Sequence, residues 1–203
     1  MSIIKGLEQG SQKWLNYRRS KIMATDSSVI IGTNPYQNVL HLWEEKLLIR
    51  DPQPVNDAMK RGSLLEEEAR ALACKVIGID FEPCVYESDK NPWQAASLDG
   101  LSKCGRFVLE IKCPKEKTHL EAIQGSIKDY YITQMQHQSC CVPLCEKIFY
   151  FSYRPEYEQN PSKVIEIAPD LEFNETLTEK EHEFYIKLCT LCPPVQVFKP
   201  RKN

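Results

Sequence analysis

The sequence has no long hydrophobic run, no internal repeat and no low-complexity segment. A membrane-spanning helix needs about 20 consecutive apolar residues, and no stretch of this chain approaches that length. The N-terminal stretch MSIIKGLEQGSQKW contains no apolar segment of the kind found in signal peptides. We therefore expect a cytoplasmic protein with no membrane partner.

The chain also lacks an excess of positive charge. Lys and Arg together number 26, against 28 Asp and Glu, so the formal net charge is −2. A protein that binds nucleic acid through its overall charge would be strongly basic. Any contact with nucleic acid must therefore use a local positive patch.

Cysteine is plentiful, but its spacing matches no metal site that we can identify. The nine cysteines are scattered, and Cys189 and Cys192 form the one Cys-x-x-Cys pair, while the spacing of Cys140, Cys141 and Cys145 fits no metal-binding pattern. A structural zinc site or an iron–sulfur cluster would need two more ligands at a matching spacing. We therefore expect reduced, mostly buried thiols.

The length of 203 residues favours a single domain. We divide it into a helical N-terminal part (1–77), a sheet with a helix (78–170) and a C-terminal helix and tail (171–203).

The order of predicted elements indicates the fold class. Apolar side chains at helical spacing predict helices over 12–19, 25–31, 39–50, 58–77, 119–141 and 171–191. Thr25 or Asp26 is the expected N-cap of the second helix. Runs rich in aromatic and β-branched residues predict strands over 81–87, 93–98, 107–113, 148–153 and 164–167. This order predicts an α/β fold with a mixed central β-sheet flanked by helices.

Charged side chains lie inside one of the predicted strands. The segment SLDGLSKCGRFVLEIKCP (97–114) reads as two strands joined by a turn over 102–105. If the turn centres on its last two residues, Asp99 lies opposite Glu110, with the two Cβ atoms about 5 Å apart. Lys112 points to the same face, because alternate residues of a strand share a face. The segment therefore gathers two carboxylates and one ammonium group.

Two interpretations of this group are open. Adjacent carboxylates repel each other unless a cation neutralises them, and carboxylates with open positions suit Mg²⁺, with Mn²⁺ as the second candidate. Asp99 and Glu110 would then bind the metal, with the backbone carbonyl of Ile111 as a further ligand. Lys112 would activate or position a water, or stabilise charge on a phosphate. The other interpretation is a ladder of ion pairs on a solvated face, although the apolar neighbours in FVLEIKCP argue against a wet surface.

Here the residues resemble a known family. S-x-D-G-L followed by L-E-I-K-C-P resembles the core of the PD-(D/E)xK nucleases, and more closely that of the YqaJ-type viral recombinases, the family of phage lambda exonuclease. Leu98 departs from the pattern, since many members have Pro there, but this position does not bind metal. The resemblance continues through WLNYRRSKIMATDSS (14–28), RGSLLEEEA (61–69) and YYITQMQHQ (130–138).

The resemblance implies further catalytic residues. Glu66 corresponds to a third active-site carboxylate that faces the metal, whereas from the bare sequence residues 66–68 would read as a solvated helix face. Gln134 corresponds to the family's site glutamine, whose amide can hold the attacking water or a phosphate.

The resemblance also implies a phosphate pocket. Arg18 and Thr25 would grip a terminal 5′ phosphate, since arginine binds phosphate oxygens in a bidentate manner and a helix N-terminus attracts anions. Ser97 lines the same pocket, and Tyr131 and Gln136 are weaker candidates for contact with DNA.

The function implied by the resemblance is that of a metal-dependent DNA exonuclease. It would act in the 5′ to 3′ direction on ends of linear duplex DNA, in phage-type recombination by single-strand annealing. The same likeness implies a homotrimeric ring around DNA and a single-strand annealing protein as partner, in the cytoplasm of a phage-infected or other prokaryotic cell.

Three alternatives stay open. The chain is an endonuclease of the same superfamily, a cluster-containing nuclease of CRISPR adaptation, or a DNA-end-binding protein without catalysis. The second needs four cysteines around a cluster, and the spacing here does not match.

Overall fold

The computed structural model describes residues 3–7 and 10–195. In this part of the chain the elements follow the order α1 (Gln12–Ser20), β1 (Ile22–Met23), α2 (Ala24–Ile31), α3 (Val39–Lys46), α4 (Asp57–Ile77), β2 (Phe81–Glu87), β3 (Gln94–Ser102), β4 (Phe107–Lys112), α5 (Glu116–Ile123), α6 (Asp129–Cys141), β5 (Lys147–Tyr153), β6 (Ser162–Ile167) and α7 (Leu171–Cys189). The predicted α/β class is confirmed. No helix among the described residues combines the length and apolar character needed to cross a membrane.

The strands form one mixed sheet in which β3 has neighbours along both edges. One edge pairs with β2 in antiparallel fashion. The other edge pairs first with β1, in parallel at Gln94 and Ala95, and then with β4, antiparallel at Gly100 and Leu101. The sheet continues from β4 to β5 in parallel and from β5 to β6 in antiparallel fashion. The two-residue β1 was not predicted, because two residues are too few to show an alternating pattern.

Both faces of the sheet are covered by helices. Leu109 and Ile111 of β4 pack with Ala73 of α4 in one apolar cluster. Val108 packs with Met135 of α6 in another. Charged residues that alternate with these apolar ones are therefore enclosed as well, which sets up the site described below.

The second helix begins one residue earlier than expected. Met23 is its N-cap in extended conformation, and Asp26 is the third helical residue, whose carboxylate accepts a hydrogen bond of 2.8 Å from the Met23 N–H. The prediction of Thr25 or Asp26 as N-cap is wrong, because the pairing of Met23 with Ala95 in the sheet sets the boundary.

Three predicted helices are interrupted or shortened by residues in the left-handed conformation. The predicted helix 119–141 is two helices, α5 and α6, separated around Gly125 with φ 86°. Helices predicted over 39–50 and 171–191 stop at Lys46 and Cys189, shortly before Leu48 and Leu191, with φ 61° and 54°. Apolar spacing continues through these breaks, so it could not reveal them.

A buried network fixes α6 and α7 to the start of β3. His137 Nδ1 lies 2.7 Å from Glu181 Oε1, and its Nε2 lies 3.0 Å from the carbonyl oxygen of Ala95. The other oxygen of Glu181 accepts a hydrogen bond of 2.7 Å from Gln94. Burial alone would lower the pKa of His137, but Glu181 outweighs it and raises this pKa well above its ordinary value. The pair is therefore an imidazolium and a carboxylate, which orients the helix that carries Gln134.

All nine cysteines are free thiols. Only Cys141 is buried, five others are partly buried, and Cys104, Cys189 and Cys192 are exposed, so the expectation of mostly buried thiols is wrong. Within the described residues, no three cysteine, histidine or acidic side chains are grouped as a metal cluster requires.

Candidate active site

The sheet opens between β3 and β4 at Asp99. The paired positions of the two strands end at Gly100 and Leu109, one residue short of the predicted pairing of Asp99 with Glu110. The ladder does not continue, because Asp99 Oδ2 accepts a hydrogen bond of 2.8 Å from the Ile111 N–H. A side chain takes the place of a backbone partner, so the carboxylate lies in the cleft between the two strands.

A β-bulge in β3 accompanies this opening. Along β2 the pairing advances by two residues, from Glu82 to Cys84, while along β3 it advances by three, from Leu101 to Leu98. The extra residue falls at Asp99–Gly100. Bulges near active sites turn a side chain away from regular alternation, and here the bulge turns Asp99 toward β4.

Glu110 is almost completely buried, with 1% of its surface exposed, and it is surrounded by donors. Its Oε1 forms an ion pair with the ammonium group of Lys112 and accepts a hydrogen bond of 2.6 Å from Gln134. Its Oε2 accepts one of 2.5 Å from Gln138. A charge buried this deeply without partners would cost several kcal/mol. These contacts exclude the interpretation as a solvated ladder of ion pairs.

The charges in the cleft shift one another's protonation. Burial, followed by the negative charges of Glu110 and Glu66, raises the pKa of Asp99 from 3.8 to about 8, although Lys112 opposes the shift. Burial alone would lower the pKa of Lys112, but Glu110 and Asp99 outweigh it and raise this pKa. At neutral pH Lys112 is therefore charged, and Asp99, with a pKa of about 8, keeps its proton unless a further cation neutralises the cleft.

Glu66 reaches the same region from α4. Its carboxylate accepts a hydrogen bond of 2.5 Å from Arg70, whose Nε donates at 2.6 Å to the backbone carbonyl of Asp99. Glu67 and Glu68 are exposed, whereas Glu66 is half-buried. The interpretation of residues 66–68 as a solvated helix face therefore holds for Glu67 and Glu68 but not for Glu66.

The carboxylate oxygens in the cleft suit a hard divalent cation. Asp99 and Glu110 repel each other, as the raised pKa of Asp99 indicates, and Mg²⁺ is commonly held by one or two carboxylates while it keeps several waters. The pair therefore fits an open metal site. Within the described residues, no three acidic, histidine or cysteine side chains form a group that could hold a metal ion, so Glu66 is not gathered with Asp99 and Glu110 as a third ligand in this structure. Metal binding by Glu66 and by the Ile111 carbonyl stays a prediction.

The residues of the predicted phosphate pocket are joined through Trp14. Arg18 donates a hydrogen bond of 2.9 Å to Thr25 Oγ1 and lies over the Trp14 ring, 4.5 Å from its centroid. The Trp14 indole N–H donates to Ser97 Oγ at 3.3 Å. Burial lowers the pKa of Arg18, with Asp26 opposing the shift. A partly desolvated guanidinium beside a helix N-terminus is a suitable anion site.

The topology brings this predicted pocket and the carboxylates of Asp99 and Glu110 to the same edge of β3. β1, which leads into Thr25, and β4, which carries Glu110, pair with the same edge of β3. The segment of β3 between these two pairings, 96–99, carries both Ser97 and Asp99.

Tyr131 lies at the site, and Gln136 does not. The Tyr131 ring lies over Lys112 Nζ, 5.1 Å from the ring centroid. The amide of Gln136 instead donates to the carbonyl of Ala168 at 3.0 Å and accepts from the Asp170 N–H at 2.9 Å. Gln136 therefore holds the connection before α7.

Three residues of this site were not identified from the sequence. Gln138 and Arg70 each lie four residues after a predicted site residue, Gln134 and Glu66, so helical spacing could have placed them on the same faces. Trp14 lies four residues before Arg18, so the same spacing could have placed it beside that arginine, whereas its contact with Ser97 joins segments far apart in the chain and gave no signal.

Solved structures support the fold assignment. An alkaline exonuclease from Laribacter hongkongensis (LHK-Exo), also solved in complex with dAMP, is 25% identical with a TM-score of 0.77, over 90% of this chain and 94% of that one. A phage-related exonuclease from Haemophilus somnus 129PT is 18% identical with a TM-score of 0.66, over 87% of this chain and 99% of that one, and shows the fold alone. The PD-(D/E)xK core expected from the sequence is confirmed.

Sequence comparison gives the family. The chain is 24% identical over 146 residues to the uncharacterized protein YqaJ of Bacillus subtilis strain 168, covering 66% of this chain but only 43% of that relative. The chain thus spans less than half the length of the curated relative that it matches. The model of the YqaJ-like viral recombinase domain matches residues 13–142, which include both the carboxylate pair and the phosphate pocket. The chain belongs to the YqaJ-like viral recombinase family.

Proposed function

We propose that this protein is a metal-dependent deoxyribonuclease that removes nucleotides from the ends of linear duplex DNA in the 5′ to 3′ direction. The observation that carries the proposal is the cleft at Asp99, where two carboxylates and Lys112 meet beside an arginine pocket. The likeness to LHK-Exo, an alkaline exonuclease solved with the mononucleotide dAMP, supports it further.

Asp99 and Glu110 would hold Mg²⁺, with Mn²⁺ as the second candidate, while Glu66 and the Ile111 carbonyl complete the ligand set. A metal in such a site supplies a water of lowered pKa and polarises a phosphoryl oxygen. Glu110 is positioned for this by the amides of Gln134 and Gln138, which fix both of its oxygens.

The ion pair of Lys112 with Glu110 holds its ammonium group in the cleft. A lysine that stays protonated cannot accept a proton from water, but it can donate to a phosphate oxygen and stabilise the charge that develops there. We therefore assign Lys112 to charge stabilisation and orientation of the water. Gln134 would share in this orientation through the donor or acceptor capacity of its amide.

Arg18, Thr25 and Ser97 would hold the 5′-terminal phosphate. A phosphate held there would keep the strand end beside the metal pair, since Ser97 and Asp99 belong to the same short segment of β3. Tyr131 would contact the same strand near Lys112.

We also propose the assembly implied by the family likeness. The protein would form a homotrimeric ring around DNA and work with a single-strand annealing protein in the cytoplasm of a prokaryotic or phage-infected cell. Light scattering should then give a mass of three chains, with a monomer mass as the contrary result.

The nuclease proposal is tested with linear duplex DNA labelled at either end, incubated with Mg²⁺ or with EDTA. We expect Mg²⁺-dependent release of 5′-terminal nucleotides. Lys112→Ala should lower the rate by roughly 100-fold or more, because it removes a preorganised charge from the transition state. Lys115→Ala, three residues away on an exposed position, is the matched control and should cut normally. Wild-type activity in Lys112→Ala would contradict the mechanism.

The phosphate pocket is tested by comparing ends. A 5′-phosphate end should be degraded faster than a 5′-hydroxyl end, and Arg18→Ala should abolish this preference. Arg19→Ala, whose guanidinium contacts Asn16, should keep it. An unchanged preference in Arg18→Ala would remove Arg18 from the pocket.

The two remaining alternatives have distinct outcomes in the same assay. Cleavage of a covalently closed circle would favour an endonuclease. Binding of a duplex end without nucleotide release in any divalent cation would favour an end-binding protein.

A further inference from the structure

A series of tyrosine rings leads from the cleft to the protein surface. The Tyr131 ring lies over Lys112 Nζ, and the Tyr130 ring follows with its centroid 4.3 Å from that of Tyr131. Tyr36, from the loop between α2 and α3, contacts Tyr130 edge to face at 5.9 Å. The rings form a continuous path that begins at a predicted catalytic residue.

The outermost ring is exposed but firmly positioned. Tyr36 has 72% of its surface exposed, so it adds little to the apolar core. Its backbone N–H donates to Asn34 Oδ1 at 2.8 Å, and Asn34 is bonded in turn to Ser28 of α2 through its backbone N–H at 2.9 Å and its side chain at 3.1 Å. Single exposed aromatic residues are common, but an anchored one in line with a catalytic lysine requires another explanation than packing.

The rings also have the right chemistry to lie beside DNA. Burial, followed by the neighbouring phenol of Tyr131, raises the pKa of Tyr130. Tyr130 therefore stays neutral at physiological pH and does not repel phosphate groups. Every nucleobase has an aromatic face, so stacking on tyrosine tolerates any sequence. A nuclease that degrades DNA regardless of sequence needs contacts of this kind.

We propose that Tyr36 and Tyr130 form a stacking platform for one or two unpaired nucleobases of the DNA strand whose phosphate lies at Lys112. The proposal rests on the nuclease function proposed above and adds a site for bases to the sites for metal and phosphate. The platform would hold the strand next to the cleft after its bases have left the duplex.

The test combines a protein change with a DNA change. Binding is measured by fluorescence anisotropy in EDTA, where nothing is cut, for duplexes with a short unpaired end of either polarity. Each duplex is compared with a version whose unpaired nucleotides are abasic but keep their phosphates. Tyr36→Leu keeps apolar bulk without an aromatic face, and Tyr36→Trp keeps the face. Both changes lie at an exposed position, so unfolding curves should match the wild type.

If the unpaired bases stack on Tyr36, the effects of Tyr36→Leu and of base removal on binding affinity should not be additive. The wild type and Tyr36→Trp should bind the abasic end about 5- to 100-fold more weakly than the normal end of one polarity, the range expected for loss of base stacking. Tyr36→Leu should bind the normal end and the abasic end equally, each with the affinity that the wild type has for the abasic end. If removal of the bases weakens binding by the same factor in Tyr36→Leu as in the wild type, the stacking platform is overturned.

Failure of the platform can be told apart from failure of the nuclease function. If the wild type releases nucleotides with Mg²⁺ but shows no coupling between Tyr36 and the bases, the platform alone is wrong. If the wild type neither binds duplex ends nor releases nucleotides, the proposed function fails and the platform fails with it.

Discussion

Replacing Asp99 with asparagine should stabilise the metal-free protein. Asp99 lies in the cleft with two other carboxylates, and burial followed by Glu110 and Glu66 raises its pKa to about 8. Asparagine has the same shape and can still accept the hydrogen bond from the Ile111 N–H. It carries no charge, so the repulsion disappears while the backbone contact stays.

The size of the effect follows from the pKa shift. Each pKa unit is worth about 1.4 kcal/mol, so a rise from 3.8 to about 8 sets an upper limit of roughly 6 kcal/mol at pH 8. Water that enters the cleft weakens the repulsion between the carboxylates. We therefore expect the measured free energy of unfolding of Asp99→Asn to exceed that of the wild type by at least about 1 kcal/mol at pH 8. Between pH 4 and 8 the folded wild type binds more protons than the unfolded chain, so its stability falls as pH rises. The advantage of Asp99→Asn should therefore grow with pH across this window.

Thermal unfolding in EDTA at several pH values measures this gain. For a chain of this size, 1 kcal/mol corresponds to about 2–4 °C in Tm, so Tm at pH 8 should rise by at least about 2 °C. Added Mg²⁺ should narrow the difference, because a metal that binds the wild-type carboxylates stabilises that protein alone. Asp51→Asn, at an exposed loop position, should leave Tm unchanged. An Asp99→Asn protein that is no more stable at pH 8, or whose gain does not shrink toward pH 4, would refute the reasoning.

Two further predictions concern the surroundings of the site. A Cβ at Gly100 would lie 2.6 Å from Phe81 Cβ, so Gly100→Ala should lower the free energy of unfolding by about 1–3 kcal/mol. Gly62 lies in a helix with no atom within 4 Å of such a Cβ, so Gly62→Ala should raise the free energy of unfolding slightly. Denaturant unfolding measures both variants, and equal effects would contradict the close approach of Phe81 to Gly100. Because Glu181 raises the pKa of His137, the ion pair contributes fully to the free energy of unfolding below about pH 6.5, and this contribution is lost as pH rises through the folded-state pKa. Urea unfolding at pH 6–9 should show the loss of stability in the wild type. If the loss persists after joint His137→Gln and Glu181→Gln substitution, another group titrates.

Much of the sheet and of the arrangement of the candidate carboxylates could be predicted because both depend on local patterns. The turn before Phe107 sets the pairing of β3 with β4, and the register Gly100 to Leu109 is the one expected from a turn centred on residues 104–105. Alternation along β4 then places Glu110 and Lys112 apart from Leu109 and the core around α4. Helix ends were predicted less well, since left-handed residues such as Leu48 interrupt a helix without any change in apolar spacing.

The contacts that hold the site in place depend on long-range packing and could not be read from spacing. Ser97 and Trp14 meet although 83 positions separate them, and Arg70 reaches the carbonyl of Asp99 across 29 positions. Such contacts depend on how α1 and α4 pack on the sheet, and no periodicity in a single segment records this. Gln136 shows that spacing can also suggest a site residue wrongly. It has the same residue type as Gln134 and lies two positions away on the same helix, but its amide holds the backbone before α7.

The bulge in β3 links these observations. One extra residue at Asp99–Gly100 turns the Asp99 carboxylate out of the regular alternation and into the cleft, and the strand still returns to the core at Leu98 and Leu101, which belong to one apolar cluster. Glycine is needed beside it, because a side chain at Gly100 would collide with Phe81. The D-G pair in the sequence is therefore explained by two different requirements, a charge directed between two strands and a neighbour small enough to let the backbone turn. A proposed metal ligand and a structural residue stand next to each other because the same distortion of the strand creates both positions.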